Sequence, residues 1–155
     1  MSGPTAFSFT HLFSDLVDRP VNFSEAKALP AVEAKKVFGI YETLPAGRPI
    51  IVRADLPFLA TIAGLLIGLP AATAMERALC DPMDDAIRDA IYEALNICST
   101  CLCGDERVLL RSMTTHSNAI PHPASELLKK STYASNFKVV ISGKDCGLLS
   151  VLGAY

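Results

Sequence analysis

From Phe9 to Val17 the chain sets Phe9, Leu12, Phe13, Leu16 and Val17 at the i, i+3, i+4 spacing of an amphipathic helix, and Pro20 ends it. Asn22 to Pro30 shows no sustained period and reads as a loop or a short helical turn. Val37–Tyr41 and Ile50–Arg53 are β-branched and aromatic runs. The stretch between them, Thr43-Leu-Pro-Ala-Gly-Arg-Pro49, is dense in turn residues, so a hairpin is expected. Asp55 as N-cap and Pro57 in the first turn open an apolar helix that runs to about Gly68. Gly64 and Gly68, four apart on it, suit close approach of another element. A shorter helical piece, Ala72–Leu79, follows. Asp81-Pro-Met-Asp-Asp then opens a long helix that carries to about Cys103 and stops at Gly104. Asp84 and Asp85 in its first turn suit the positive end of the helix dipole.

Beyond that helix, Arg107–Met113 reads as a strand, Thr114–Pro123 as a loop and Ala124–Lys130 as a short helix. Phe137–Ser142 and Gly147–Leu152 close the chain as a second hairpin through Gly143-Lys-Asp. Four or five hairpin-connected strands with three or four helices predict one α+β domain over residues 1–155. Its sheet is expected to be mostly antiparallel, with helices packed on one face.

The long helix carries the most informative polar pattern. At about 100° per residue and with Asp89 at zero, Glu93 falls near +40°, Asn96 near −20°, Thr100 near +20° and Asp85 near −40°. These five polar side chains share one narrow strip. Ile87, Ile91, Ala94, Cys98 and Leu102 lie opposite it, so the helix is sharply two-faced. Solvent exposure is the ordinary reading of such a strip. Two features set this one apart. No basic residue lies within it to pair with its three carboxylates, and like charges at i, i+4 repel. Asn96, in mid-helix, is a poor helix former. A carboxylate can accept a partner's Lys or Arg. A carboxamide offers both a donor and an acceptor, so it can orient a water molecule without titrating. That suits a reaction in which water is the nucleophile and catalysis is positioning.

Composition narrows the classes of function. Half of the residues are apolar, 19% are charged and the net charge is −2, which describes a globular chain without the basic stripe of a nucleic-acid binder. The N-terminus has no basic n-region and carries Asp15 and Asp18 within its apolar pattern, unlike a signal peptide. The most apolar segment, Phe58–Leu69 between Pro57 and Pro70, falls well short of the roughly 20 residues that span a bilayer. A buried helix, no membrane association and a cytoplasmic location are therefore expected. Five cysteines, an odd number, suggest reduced thiols. Cys98, Cys101 and Cys103 lie close together and, with His116 and His122, would make a zinc-like set or a redox sensor. Against this, Cys98 falls on the apolar face, where a thiol serves as a small core hydrophobe, and no metal site is assigned. His11, His116 and His122 read as surface or loop residues.

Asp89-xxx-Glu93-xx-Asn96 matches the [Asp/Ser]-xxx-Glu-xx-Asn motif of the CheC/CheX family of chemotaxis phosphatases. The order of elements around it also resembles a CheX-like domain across essentially the whole chain. CheC proteins carry two copies of the motif. This chain carries one, which points to the CheX side.

The resemblance implies a phosphatase for the aspartyl phosphate of a CheY-like response regulator. Glu93 would grip a lysine of the regulator, and Asn96 would orient the attacking water. Asp89, with Asp85 and Thr100 at the rim, would take part in partner binding. The chain would need no cofactor of its own, since the regulator supplies Mg²⁺, and it would form a homodimer. The alternative is a non-catalytic CheC/FliN-like interaction domain that binds a response regulator or a switch protein.

Overall fold

The computed structural model describes residues 4–26, 35–102, 104–129 and 134–153. Among these, the strands are β1 (Val21–Glu25), β2 (Lys36–Leu44), β3 (Pro49–Asp55), β4 (Arg107–Thr114), β5 (Ala134–Ile141) and β6 (Lys144–Gly153). They form one sheet in the order β1-β5-β6-β3-β2-β4, and every neighbouring pair is antiparallel. The helices are α1 (Ala6–Val17), α2 (Leu56–Ile67), α3 (Ala71–Ala78), α4 (Asp85–Leu102) and the single turn α5 (Glu126–Lys129). The chain is thus α+β, as expected. Cys103, Lys130 and residues 27–30, to which the expected elements extended, lie outside the described residues.

Alternation along the strands assigns the two faces of the sheet. Val37 and Tyr41 of β2, Ile50, Val52 and Ala54 of β3, and Leu149 and Val151 of β6 point into the main core beneath α1 to α4. Phe38, Ile40, Ile51 and Leu152 point the other way, into a smaller cluster closed by Ile120, Ala124 and the α5 residues Leu127 and Leu128. The four longer helices therefore share one face, as expected, and the short α5 segment covers part of the other.

The stretch after Pro20, read as a loop or helical turn, is the edge strand β1 from Val21 to Glu25. What makes it a strand is non-local. It pairs with β5 from Val21↔Ile141 to Glu25↔Phe137. Phe23 stacks between Phe9 and Phe13 at ring separations of 5.2 and 5.6 Å and meets Phe58 edge-on at 5.8 Å. Two apolar residues at alternate positions gave too short a period to show this.

The last hairpin turns at Ser142 and Gly143, with φ of 50° and 81°, the left-handed pair that matches strand twist. The turn is one residue earlier and tighter than expected.

Asp55 stands at the N-cap of α2 but makes no side-chain cap hydrogen bond. Its buried carboxylate pairs with Lys36 Nζ and accepts the Leu148 backbone N–H at 2.9 Å. It thereby ties β2, the head of α2 and β6 together. Gly147, with φ of 106°, makes room for it, because a Cβ there would collide with the Asp55 carboxylate.

Of the two α2 glycines, Gly64 is the close-approach residue: a Cβ would sit 2.9 Å from both Ala74 Cβ and the Leu69 carbonyl oxygen. Gly68 has open space around it and serves as the left-handed C-cap, φ 78°. The chain then bends by 118° into α3. Among the described residues no single helix is long and apolar enough to cross a membrane.

Candidate functional site

The site is the outer face of α4. Asp84 starts this helix, its carboxylate accepting the Ile87 N–H at 3.2 Å. Ile87, Ala90, Ile91, Ala94, Leu95, Cys98 and Leu102 are all buried on the underside. Each fully buried Ile or Leu contributes about 1.5–3 kcal/mol, so the rotational setting of α4 is fixed by its core row. Tyr41 adds a directional tie: its hydroxyl, buried beneath the helix, donates to the Leu95 carbonyl oxygen. The β2 residue Gly39 leaves room for that ring, since a Cβ there would sit 3.1 Å from Tyr41 Cε1. Leu95 immediately precedes Asn96, so the sheet holds the helix at the candidate residue.

With the underside fixed, Asp85, Asp89, Glu93, Asn96 and Thr100 are all brought to the exposed face. The angular reading of the sequence is thus reproduced for all five. Thr100 turns its hydroxyl back to the Ile97 carbonyl at 3.0 Å, which leaves it the least available of the set. The expectation that the strip's carboxylates lack a cation needs correction. Arg88 reaches from the flank to Asp85 at 3.3 Å and to Asp89 at 3.8 Å. These contacts are well exposed, and such pairs contribute about 0–1 kcal/mol, so their importance is electrostatic selection more than stability. Neither Glu93 nor Asn96 has an ion pair or side-chain hydrogen bond among the described residues. Glu93 is therefore the strip carboxylate left open to an incoming cation, and Asn96 stands one turn away as an unengaged amide.

Tyr92 was not singled out by its sequence position. It lies beside Glu93 and four residues before Asn96, and it is 39% exposed. An aromatic at the margin of an otherwise polar strip was the available signal.

Two hollows lie near the start of the helix. A hollow of about 300 Å³ lies between the start of α4 and the end of β4, with Arg88, Asp81, Met113 and His116 among its walls. A second of about 270 Å³ adjoins it, reaching Lys36 and Cys80. Glu93 and Asn96 line neither.

The cysteine cluster does not converge on the strip. Cys98 is fully buried, and burial pushes its thiol well above the ordinary range. Cys103 is outside the described residues. Among the described residues no three His, Cys, Asp or Glu side chains are grouped to hold a metal ion. His11 and His122 are exposed and face Asp15 and Glu126 four residues on, at 3.4 and 3.9 Å.

Comparison with family models gives no match, and no curated protein matches the chain. Solved structures do. FliM in an H. pylori FliM–SpeE complex superposes with a TM-score of 0.70 at 11% identity, over 96% of this chain and 80% of that one. FliM in an H. pylori FliG–FliM complex gives 0.68 at 11% identity, over 96% and 85%. Thermotoga maritima FliY gives 0.58 at 14% identity, over 94% and 82%. The chain has the fold of these proteins. At such identities the likeness is one of fold.

Proposed function

We propose that the chain is a phosphatase acting on the aspartyl phosphate of a CheY-like response regulator. One observation carries this reading: Glu93 and Asn96 stand exposed and unengaged, one turn apart, on a helix whose underside is locked in the core. Glu93 accepts a lysine of the regulator and fixes the register of the two proteins. Asn96 then enters the regulator's active cleft. Its carbonyl oxygen accepts from a water while its NH₂ donates to the phosphoryl group or its surroundings. The water oxygen bonds to phosphorus in line with the breaking bond to the aspartyl oxygen. Inorganic phosphate leaves and the regulator's carboxylate is restored. The regulator supplies Mg²⁺, which neutralises the phosphoryl charge. This chain contributes position, and positioning of a water can lower a barrier by several kcal/mol.

A specific observation favours a second reading, a non-catalytic binding domain. The solved structures of higher similarity are FliM chains in complexes with SpeE and FliG. The strip suits that role as well, with three carboxylates against one guanidinium to receive a basic surface.

The two readings separate in one experiment. Each response regulator of the source organism is phosphorylated, and its phosphate lifetime is measured with and without this protein. The phosphatase reading expects a shortened lifetime for at least one regulator. Binding without any shortening supports the interaction domain, and neither binding nor shortening for any regulator removes the phosphatase and leaves an interaction domain with another kind of partner.

A further inference from the structure

We infer that Tyr92 is the apolar anchor by which a response regulator docks on α4, and so sets the affinity of the partner without taking part in the chemistry. The inference rests on the proposed reading of Glu93 and Asn96 and names a residue that their motif does not contain. The large apolar side chains exposed among the described residues are Phe7, Ile67, Leu79 and Tyr92, and only Tyr92 stands on α4. At about 100° per residue it lies some 40° from Asn96 and about 20° from Asp85 on the helix surface. A partner close enough to receive Asn96 in a cleft must therefore cover it.

Helical side chains lean toward the N-terminus, which sets the Tyr92 ring over the turn that holds Arg88 and Asp89. The docking face then has three parts in a row. Arg88 and its two aspartates form a rim that stays acidic by one charge. Tyr92 forms an apolar centre. Glu93 and Asn96 form the working edge.

A tyrosine here suits an interface, since it brings a large contact area for two rotatable angles, and residues of this type are enriched where single side chains dominate binding. The occupant is a receiver-domain surface with one cation opposite Glu93 and an apolar patch opposite Tyr92. Charge argues for that occupant. Arg88 already contacts Asp85 and Asp89, so Glu93 is the strip carboxylate left open to a cation of the partner.

The test uses the CheY-like regulators of the source organism, each loaded with beryllofluoride for binding and phosphorylated for turnover. Tyr92→Ala should weaken binding at least tenfold, and Tyr92→Phe should stay within about threefold of the wild type, because the ring carries the contact. With saturating protein, the dephosphorylation rate of Tyr92→Ala should equal the wild-type rate. Thermal melts of both variants should match the wild type, since the side chain is partly exposed. An unchanged affinity for Tyr92→Ala, with a wild type that binds, overturns the inference and leaves the proposed function standing. A fall in the saturated rate with affinity kept also overturns it, placing Tyr92 with the water-positioning machinery. A wild type that binds none of the regulators overturns both together. Binding without turnover, weakened by Tyr92→Ala, sustains the anchor and removes the phosphatase.

Discussion

Glu93 and Asn96 sit three positions apart, yet they are assigned separable tasks, and substitution should separate them. Asn96→Ala removes an amide that holds water and should abolish acceleration of dephosphorylation while leaving affinity within about twofold. Glu93→Lys places a cation against the partner's lysine and should weaken binding more than tenfold, since like charges at contact cost several kcal/mol. Both are read in one titration of regulator against protein.

Cys98 gives a prediction of another kind. Burial raises its thiol above the ordinary value of 9.0, and Tyr41 beside it is also raised, by burial first and by the neighbouring thiol second. A group whose folded pKa is raised contributes stability that is complete below the unfolded pKa and declines as pH climbs above it. Each such group ionises only in the unfolded chain in that window, for a slope of about 1.4 kcal/mol per pH unit. Urea midpoints should therefore fall as pH rises from 9 toward 11. At pH 8 the exposed Cys80 should be alkylated while Cys98 reacts only on unfolding.

At the scale of elements, the structure is held at two seams. One is the α2–α3 corner. Gly64→Ala would drive a methyl into Ala74 and the Leu69 carbonyl, and overpacking of this kind costs about 1–3 kcal/mol, read from urea unfolding. The other is Asp55. Asp55→Ala leaves the Leu148 N–H buried without an acceptor and should destabilise by about 1–3 kcal/mol. The mostly buried Lys36 ammonium also loses its partner, which adds to that loss.

These seams also show what could be read from the chain. α4 was legible because eighteen residues give the 3.6 period room to declare both a buried row and a polar strip. The β2–β3 hairpin was legible because its turn residues are local signals. β1 was not, since five residues become a strand only through β5 and the phenylalanine cluster around Phe23. Asp55 looked like a cap because capping is a local rule. The pairing that overrides it joins residues 19 and 93 positions away. In the site, the polar strip was visible from angles alone. Arg88 was missed as a partner because a long side chain reaches past the boundary that its Cα angle draws.

For the molecule as a whole, the six-stranded sheet acts as a fixed base beneath one outward helix face. In the proposed docking, a partner is recognised through charge at long range and through Tyr92 and Glu93 at contact. Association should therefore slow as salt rises from 0.05 to 0.5 M, because the Debye length shrinks from about 14 to about 4 Å. Dissociation should change far less, and stopped-flow mixing resolves the two. The central claim is that Asn96 places the water that attacks the aspartyl phosphate. The most direct measurement is the phosphate lifetime of the regulator that this protein binds, at saturating concentrations of wild type and of Asn96→Ala. The account predicts a shortened lifetime with the wild type and the regulator's own lifetime with the variant. Equal lifetimes for the two proteins would contradict it.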